Sequence, residues 1–168
     1  VEADAGVAGL ARAAVCRLHD SRAASGADDE VVAAVAAAGL VQVARILPDA
    51  DAFAVARIEE AVQLREAGIR TRLVILGGCI SAGEVRTAAE FALDVVVHSD
   101  QQVALLEASV VNDPMACWLK VDTGMGRLGI DPASFSRVVE RLRGSAAVRS
   151  LTLMTHLACA DDHTDPET

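Results

Sequence analysis

Short, almost uninterrupted apolar runs, each followed by an amphipathic segment, recur along this chain roughly every 20–25 residues. The runs predict strands at VVAAVA (31–36), AFAVA (52–56), RLVILG (72–77), LDVVVHS (93–99), ACWLKVD (116–122) and VRSLTLMTHL (148–157). Runs of Val, Ile and Leu without polar alternation suit strands covered on both faces, the condition of a parallel sheet packed between helices. The intervening segments carry helix punctuation. RIEEAVQLREAG (57–68) ends on Gly68, and Ser81 to Ala92 opens on a serine with Glu84 at the capping-box spacing. Ser99 or Asp100 can cap QQVALLEAS, and Asp131-Pro132 starts ASFSRVVERLRG. A further helix-like stretch, Gly6 to His19, precedes them.

This order predicts an α/β fold of about six parallel βα units joined by right-handed crossovers. An open doubly wound sheet and a partial (β/α)8 TIM-type barrel both accommodate it, and six units fall short of the ~250 residues of a typical complete barrel. No Pro-, Gly- or Ser-rich linker divides the chain, so residues 1–168 read as a single α/β domain with a polar tail, ADDHTDPET.

Composition narrows the function classes. The apolar fraction is 52% and mean hydropathy +0.35, as for a folded chain, and the longest apolar stretch, VVAAVAAAGLV, is too short to span a membrane. The formal charge of −9 argues against nucleic acid or an anionic membrane as partner. VEADAGVAG shows no basic segment or apolar core of a secretory signal, which suggests a cytoplasmic protein. Cys16, Cys79, Cys117 and Cys159 form no CxxC pair and no cluster with histidine, so the pattern predicts reduced core thiols and no metal site.

The chemistry concentrates in CWLKVDTGMGRLG (117–129), which holds Lys120, the one lysine of the chain. Gly124, Gly126 and Gly129 spell G-x-G-x-x-G directly after a predicted strand, the fingerprint of a dinucleotide-binding turn. That motif needs the helix to begin within its glycines and an acidic residue at the end of the next strand. Here the helix start is Asp131-Pro132, and the next strand ends at Thr155-His156, so a Rossmann-type binder using GMGRLG is the weaker reading.

WLKVDTGMGRLG resembles the alanine racemase segment L-K-[VL]-D-T-G-M-x-R-L-G, and LMTHLACADD is similar to that family's M-[TS]-H-F-A-x-A-D. The resemblance extends over PDADAFAVARIEEAVQLREAGI (48–69), LVILGG (73–78) and VVVHSDQQVALLEAS (95–109), from about Gly39 to Asp162. It implies an N-terminal barrel domain that binds pyridoxal phosphate, a C-terminal β domain, a homodimer (a homo-oligomer at the least), and interconversion of L- and D-alanine, a peptidoglycan precursor. It also implies roles. Lys120 matches a lysine that is carbamylated in many members and orients the arginine seven residues on, Arg127, which hydrogen-bonds the cofactor's phenolic oxygen. His156 matches the histidine that packs on the pyridine ring. Plainer readings stand beside these: a strand-end ion pair of Lys120 with Asp122, a loop arginine at 127, and a satisfied core histidine at 156. His19, His98 and His163 show no partner pattern and read as structural or solvated.

The departures bear on activity. Where the family's first strand ends V-V-K-A-[DN]-A-Y-G-H-G, this chain has VVAAVAAAGLVQVA, without the Schiff-base lysine or the tyrosine after it. The chain contains no tyrosine, so neither subunit of a homodimer could supply a tyrosine base. Gly126 stands where the family carries histidine, and the C-terminal β domain is expected to be absent. On this reading no residue is catalytic, Lys120, Arg127 and His156 contact or position the cofactor, and the chain as written is inactive. The alternative is a non-catalytic barrel fragment that self-associates through exposed strand edges.

Overall fold

The structure, a computed structural model, describes residues 14–16 and 39–157. The predicted strand at 31–36, the tail, His19 and His163 lie outside these residues. Two compact units are formed, Val1–Leu76 and Gly77–Thr168.

In the first unit the order is β1 (Ala14–Cys16), α1 (Leu40–Ile46), β2 (Ala52–Val55), α2 (Ile58–Glu66) and β3 (Arg72–Ile75). β2 and β3 run parallel with Ala52 opposite Arg72, and every residue of β2 is buried, as its unbroken apolar run predicts. Glu60 turns back to accept the amides of Ala56 and Arg57 at 2.9 and 3.0 Å, so the entry of α2 is capped by its own third residue. Gly68 follows at φ 86°, the left-handed stop expected at that end.

Two expectations change in this unit. Ala14–Cys16, inside the stretch read as helical, is a strand, because its backbone pairs antiparallel with Ala54–Ala52 of β2. LVQVARI forms an unforeseen helix that buries Leu40, Val43 and Ala44, an i, i+3, i+4 stripe hidden in a valine-rich run.

The second unit runs α3 (Ala82–Glu90), β4 (Asp94–Val97), α4 (Asp100–Ala108), β5 (Met115–Lys120), a 3-10 turn (Pro132–Ser134), α5 (Phe135–Gly144) and β6 (Val148–Met154). β4, β5 and β6 are consecutive parallel neighbours, with Val97 opposite Leu119 and Lys120 opposite Met154. Five described strands, β2 to β6, thus alternate with helices as expected, and the remaining predicted strand, 31–36, lies outside the described residues. Ser81 caps α3 by accepting the Glu84 amide at 3.2 Å, while Glu84 reaches back to the amide of Ile80, one residue before the cap. Ser99, not Asp100, caps α4.

Asp100 is instead drawn into a brace between α4 and α5. Arg137 grips it at 2.8 and 3.1 Å, and Arg141 reaches both Asp100 at 3.0 Å and Glu107 at 2.6 Å. Beneath this brace Val138 and Leu142 are fully buried. His98, directly after β4, has a structural role, donating its amide to Gln102 Oε1 at 2.9 Å with its ring Nε2 3.0 Å from the Gly77 carbonyl. Cys79 and Cys117 are buried free thiols, and burial pushes both up to about 12, so they stay protonated at neutral pH.

Candidate functional site

The site is built where β5 and β6 end. Lys120 is the last residue of β5, half-buried and in register with Met154. Paired residues in a sheet share a face, so Trp118, Lys120 and Met154 lie on one side and Cys117, Leu119 and Leu153 on the other. The second set includes Cys117 and Leu119, both fully buried.

After Lys120 the chain makes a loop and returns to its own starting point. Ile130 donates its amide to the Lys120 carbonyl at 2.8 Å and accepts from the Asp122 amide at 3.0 Å. Asp122 holds the interior of the loop: its Oδ1 accepts the amides of Gly124 at 3.1 Å and Gly126 at 3.0 Å. These two bonds, Gly126 foremost and then Gly124, hold the Asp122 carboxyl below its ordinary value. Gly129 is required by the return itself. Its φ is 144°, and a Cβ there would lie 2.5 Å from the Asp122 nitrogen and 2.8 Å from the Val121 carbonyl carbon.

A second set of bonds ties this loop to β6. Val121 donates its amide to the Met154 carbonyl at 3.0 Å, and the Thr155 hydroxyl donates to the Val121 carbonyl at 2.9 Å. Thr123 and Thr155 hydroxyls meet at 2.8 Å; with the Thr155 proton spent on Val121, Thr123 is the donor. The two motifs of the sequence therefore touch through a threonine pair that sequence reasoning did not single out.

This geometry disposes of two earlier readings. The glycine amides that would cradle a pyrophosphate are already taken by a carboxylate, and helical structure begins at Pro132, past the last glycine, so the dinucleotide reading fails. The strand-end ion pair of Lys120 with Asp122 does not form among the described residues, because the carboxylate is turned into the loop. Arg127 lies exposed on the same loop, and His156 is exposed two residues beyond Met154. No hydrogen bond or ion pair joins the head groups of Lys120, Arg127 and His156 among the described residues. A cleft of about 470 Å³ nearby is lined by Val121, Phe135 and Leu153. Thr123, Met154 and Thr155 line it as well, so it opens beside the loop that follows Lys120.

A profile of the alanine racemase N-terminal domain matches residues 17–168. The chain belongs to the alanine racemase family. An alanine racemase from Shewanella sediminis is 44% identical over 131 residues, 77% of this chain and 37% of that protein. One from Nitrosococcus oceani is 47% identical over 128 residues, 76% of this chain and 36% of that protein. Among solved structures, the biosynthetic alanine racemase from Pseudomonas aeruginosa superposes with a TM-score of 0.72 at 40% identity, covering 77% of this chain and 37% of that one. The alanine racemase from Oenococcus oeni gives 0.67 at 26% identity, covering 77% and 38%. The chain thus spans little more than a third of the length of these racemases, and its fold is the partial barrel of their N-terminal domain. Among the described residues no helix is long and apolar enough to cross a membrane.

Proposed function

We propose that residues 1–168 are a single barrel domain of alanine racemase type, in which Lys120, Arg127 and His156 form one side of a pyridoxal phosphate pocket. The observation carrying this reading is the closed loop from Lys120 to Ile130, which hangs Arg127 from the end of β5 at a fixed offset from Lys120. The alanine racemase family is dependent on pyridoxal phosphate. The donor set suits contact with that group. Arg127 offers a planar fork for the phenolic oxygen, and His156 a flat ring for the pyridine face. Asp122 Oδ1 is held by the loop amides and forms no hydrogen bond with Lys120 among the described residues, which suits a lysine that orients Arg127. The loop offers no phosphate cup, since Asp122 occupies its amides.

When bound, the cofactor would withdraw electrons from the Cα of alanine, so that a proton can leave one face and return on the other. The chain's part is to seat and orient the ring, not to move that proton: Lys120 is its one lysine and it has no tyrosine. Each missing acid–base group removes a factor of about 10² to 10⁴. As written, the chain binds the cofactor weakly and does not racemise alanine; its setting is the cytoplasm. Titration with pyridoxal phosphate beside a D-alanine assay tests this, and turnover of L-alanine by the purified chain would overturn it.

A second reading is favoured by one observation, the exposed β6. Leu153 is 60% exposed there, and Arg149, Ser150 and Thr152 are exposed with it. It describes a non-catalytic barrel fragment that associates with itself.

A further inference from the structure

We propose that the Thr155 hydroxyl is a positioning group for the cofactor site, ending β6 ahead of His156 and tying that end to the loop that carries Arg127; this rests on the reading of Arg127 and His156 as pyridoxal phosphate contacts. In a parallel ladder a residue gives its amide and its carbonyl to the two residues that flank its partner. Val121 begins that pattern by donating its amide to the Met154 carbonyl at 3.0 Å, and its own carbonyl is next in line for the His156 amide. The Thr155 hydroxyl takes that carbonyl instead, at 2.9 Å, and among the described residues the His156 amide makes no backbone hydrogen bond. β6 accordingly stops at Met154. Threonine is a good strand former, so its backbone preference would carry the strand on. The hydroxyl ends it, as a side-chain donor competing for a ladder carbonyl.

The same oxygen makes a second bond. It accepts from the Thr123 hydroxyl at 2.8 Å, and Thr123 lies between Lys120 and Arg127. The loop's other bonds turn inward or back to β5: Asp122 accepts the Gly124 and Gly126 amides, and Ile130 bonds Lys120 and Asp122. Among the described residues the loop is thus linked to the end of β6 by the Val121 amide and the Thr155 hydroxyl, and the hydroxyl alone reaches both Val121 and Thr123. Two bonds on one side chain fix the segment of Arg127 against the segment of His156 before the cofactor arrives, which lowers the ordering cost of binding.

The test titrates the 168-residue chain with pyridoxal phosphate and follows its amide hydrogen exchange without cofactor. Thr155 is exposed, so substitution there leaves the core intact. Thr155→Val keeps the branched shape and removes both bonds. The Val121 carbonyl is then left to the His156 amide, and the ladder should extend by one step. That amide, rapidly exchanging in wild type, should gain protection, and affinity should fall about tenfold because the free chain rests in the wrong arrangement. Thr155→Ser keeps the hydroxyl and should match wild type in both readouts. An unprotected His156 amide or unchanged affinity in Thr155→Val, or an equal loss in Thr155→Ser, would overturn the inference. The pocket reading would survive each of these results if Arg127→Ala still weakens binding. Unchanged affinity in Arg127→Ala, or no binding by the wild type, would overturn the pocket reading and this inference with it.

Discussion

Replacing Gly129 by alanine probes the loop on which the site reading depends. The new Cβ would meet Asp122 nitrogen at 2.5 Å and Asp122 Cα at 2.9 Å, both backbone atoms that cannot swing aside. Holding alanine at φ 144° adds strain of about 1–3 kcal/mol, and forcing the overlap adds about 1–3 kcal/mol more. Peeling the loop away is the easier escape. It gives up the two Asp122–Ile130–Lys120 backbone bonds, each contributing about 0.5–1.5 kcal/mol. Gly129→Ala should therefore cost about 1–3 kcal/mol in denaturant unfolding and, by hydrogen exchange, strip protection from the Ile130 and Asp122 amides. Gly126 provides the comparison. A Cβ there meets nothing within 4 Å, and φ is 65°, so Gly126→Ala should cost only about 1 kcal/mol and leave the Ile130 amide protected. Equal effects of the two substitutions, or a protected Ile130 amide in Gly129→Ala, would refute the reasoning.

Acid should loosen the α4–α5 brace. Arg137 holds the Asp100 carboxyl, and Arg141 the Glu107 carboxyl, below their ordinary values of 3.8 and 4.5. A lowered folded-state value means this stability is complete above those values and lost as pH falls through the lower ones. Urea midpoints should hardly change from neutral pH to about 5 and then fall, more gently in Asp100→Asn; an identical acid slope in the variant would contradict the assignment. Cys79 and Cys117, buried and pushed up to about 12, should resist alkylation at pH 8 in the folded chain and react once it is unfolded. Rapid labelling of either in the native protein would count against their burial.

The legible parts of the fold were those governed by local periodicity. β2 to β6 all lie within or next to their apolar runs. β2 to β5 are buried along most of their length, which leaves a near-unbroken signature, whereas β6, expected to be covered on both faces, has no fully buried residue among the described ones. α1 was missed because its valines mimic that signature over seven residues, and only the spacing of Leu40, Val43 and Ala44 betrays the helix. Ala14–Cys16 was misread since its partner, β2, is far away in sequence. At the site, the position of the glycines in a loop was legible from Asp131-Pro132. That Asp122 fills that loop was not, although an aspartate with glycines two and four residues on is the pattern of a side chain closing a turn on its own backbone. The Thr123–Thr155 contact depends on β5 and β6 ending side by side, which no local pattern encodes.

Cofactor titration of two variants tests most directly whether Arg127 belongs to a pyridoxal phosphate pocket. If it bonds the phenolic oxygen, Arg127→Ala should weaken binding about tenfold or more, as loss of a charge-assisted hydrogen bond implies, while Arg143→Ala in the last turn of α5 leaves affinity unchanged. Equal affinity in wild type and Arg127→Ala would contradict the account, leaving Arg127 an ordinary loop arginine.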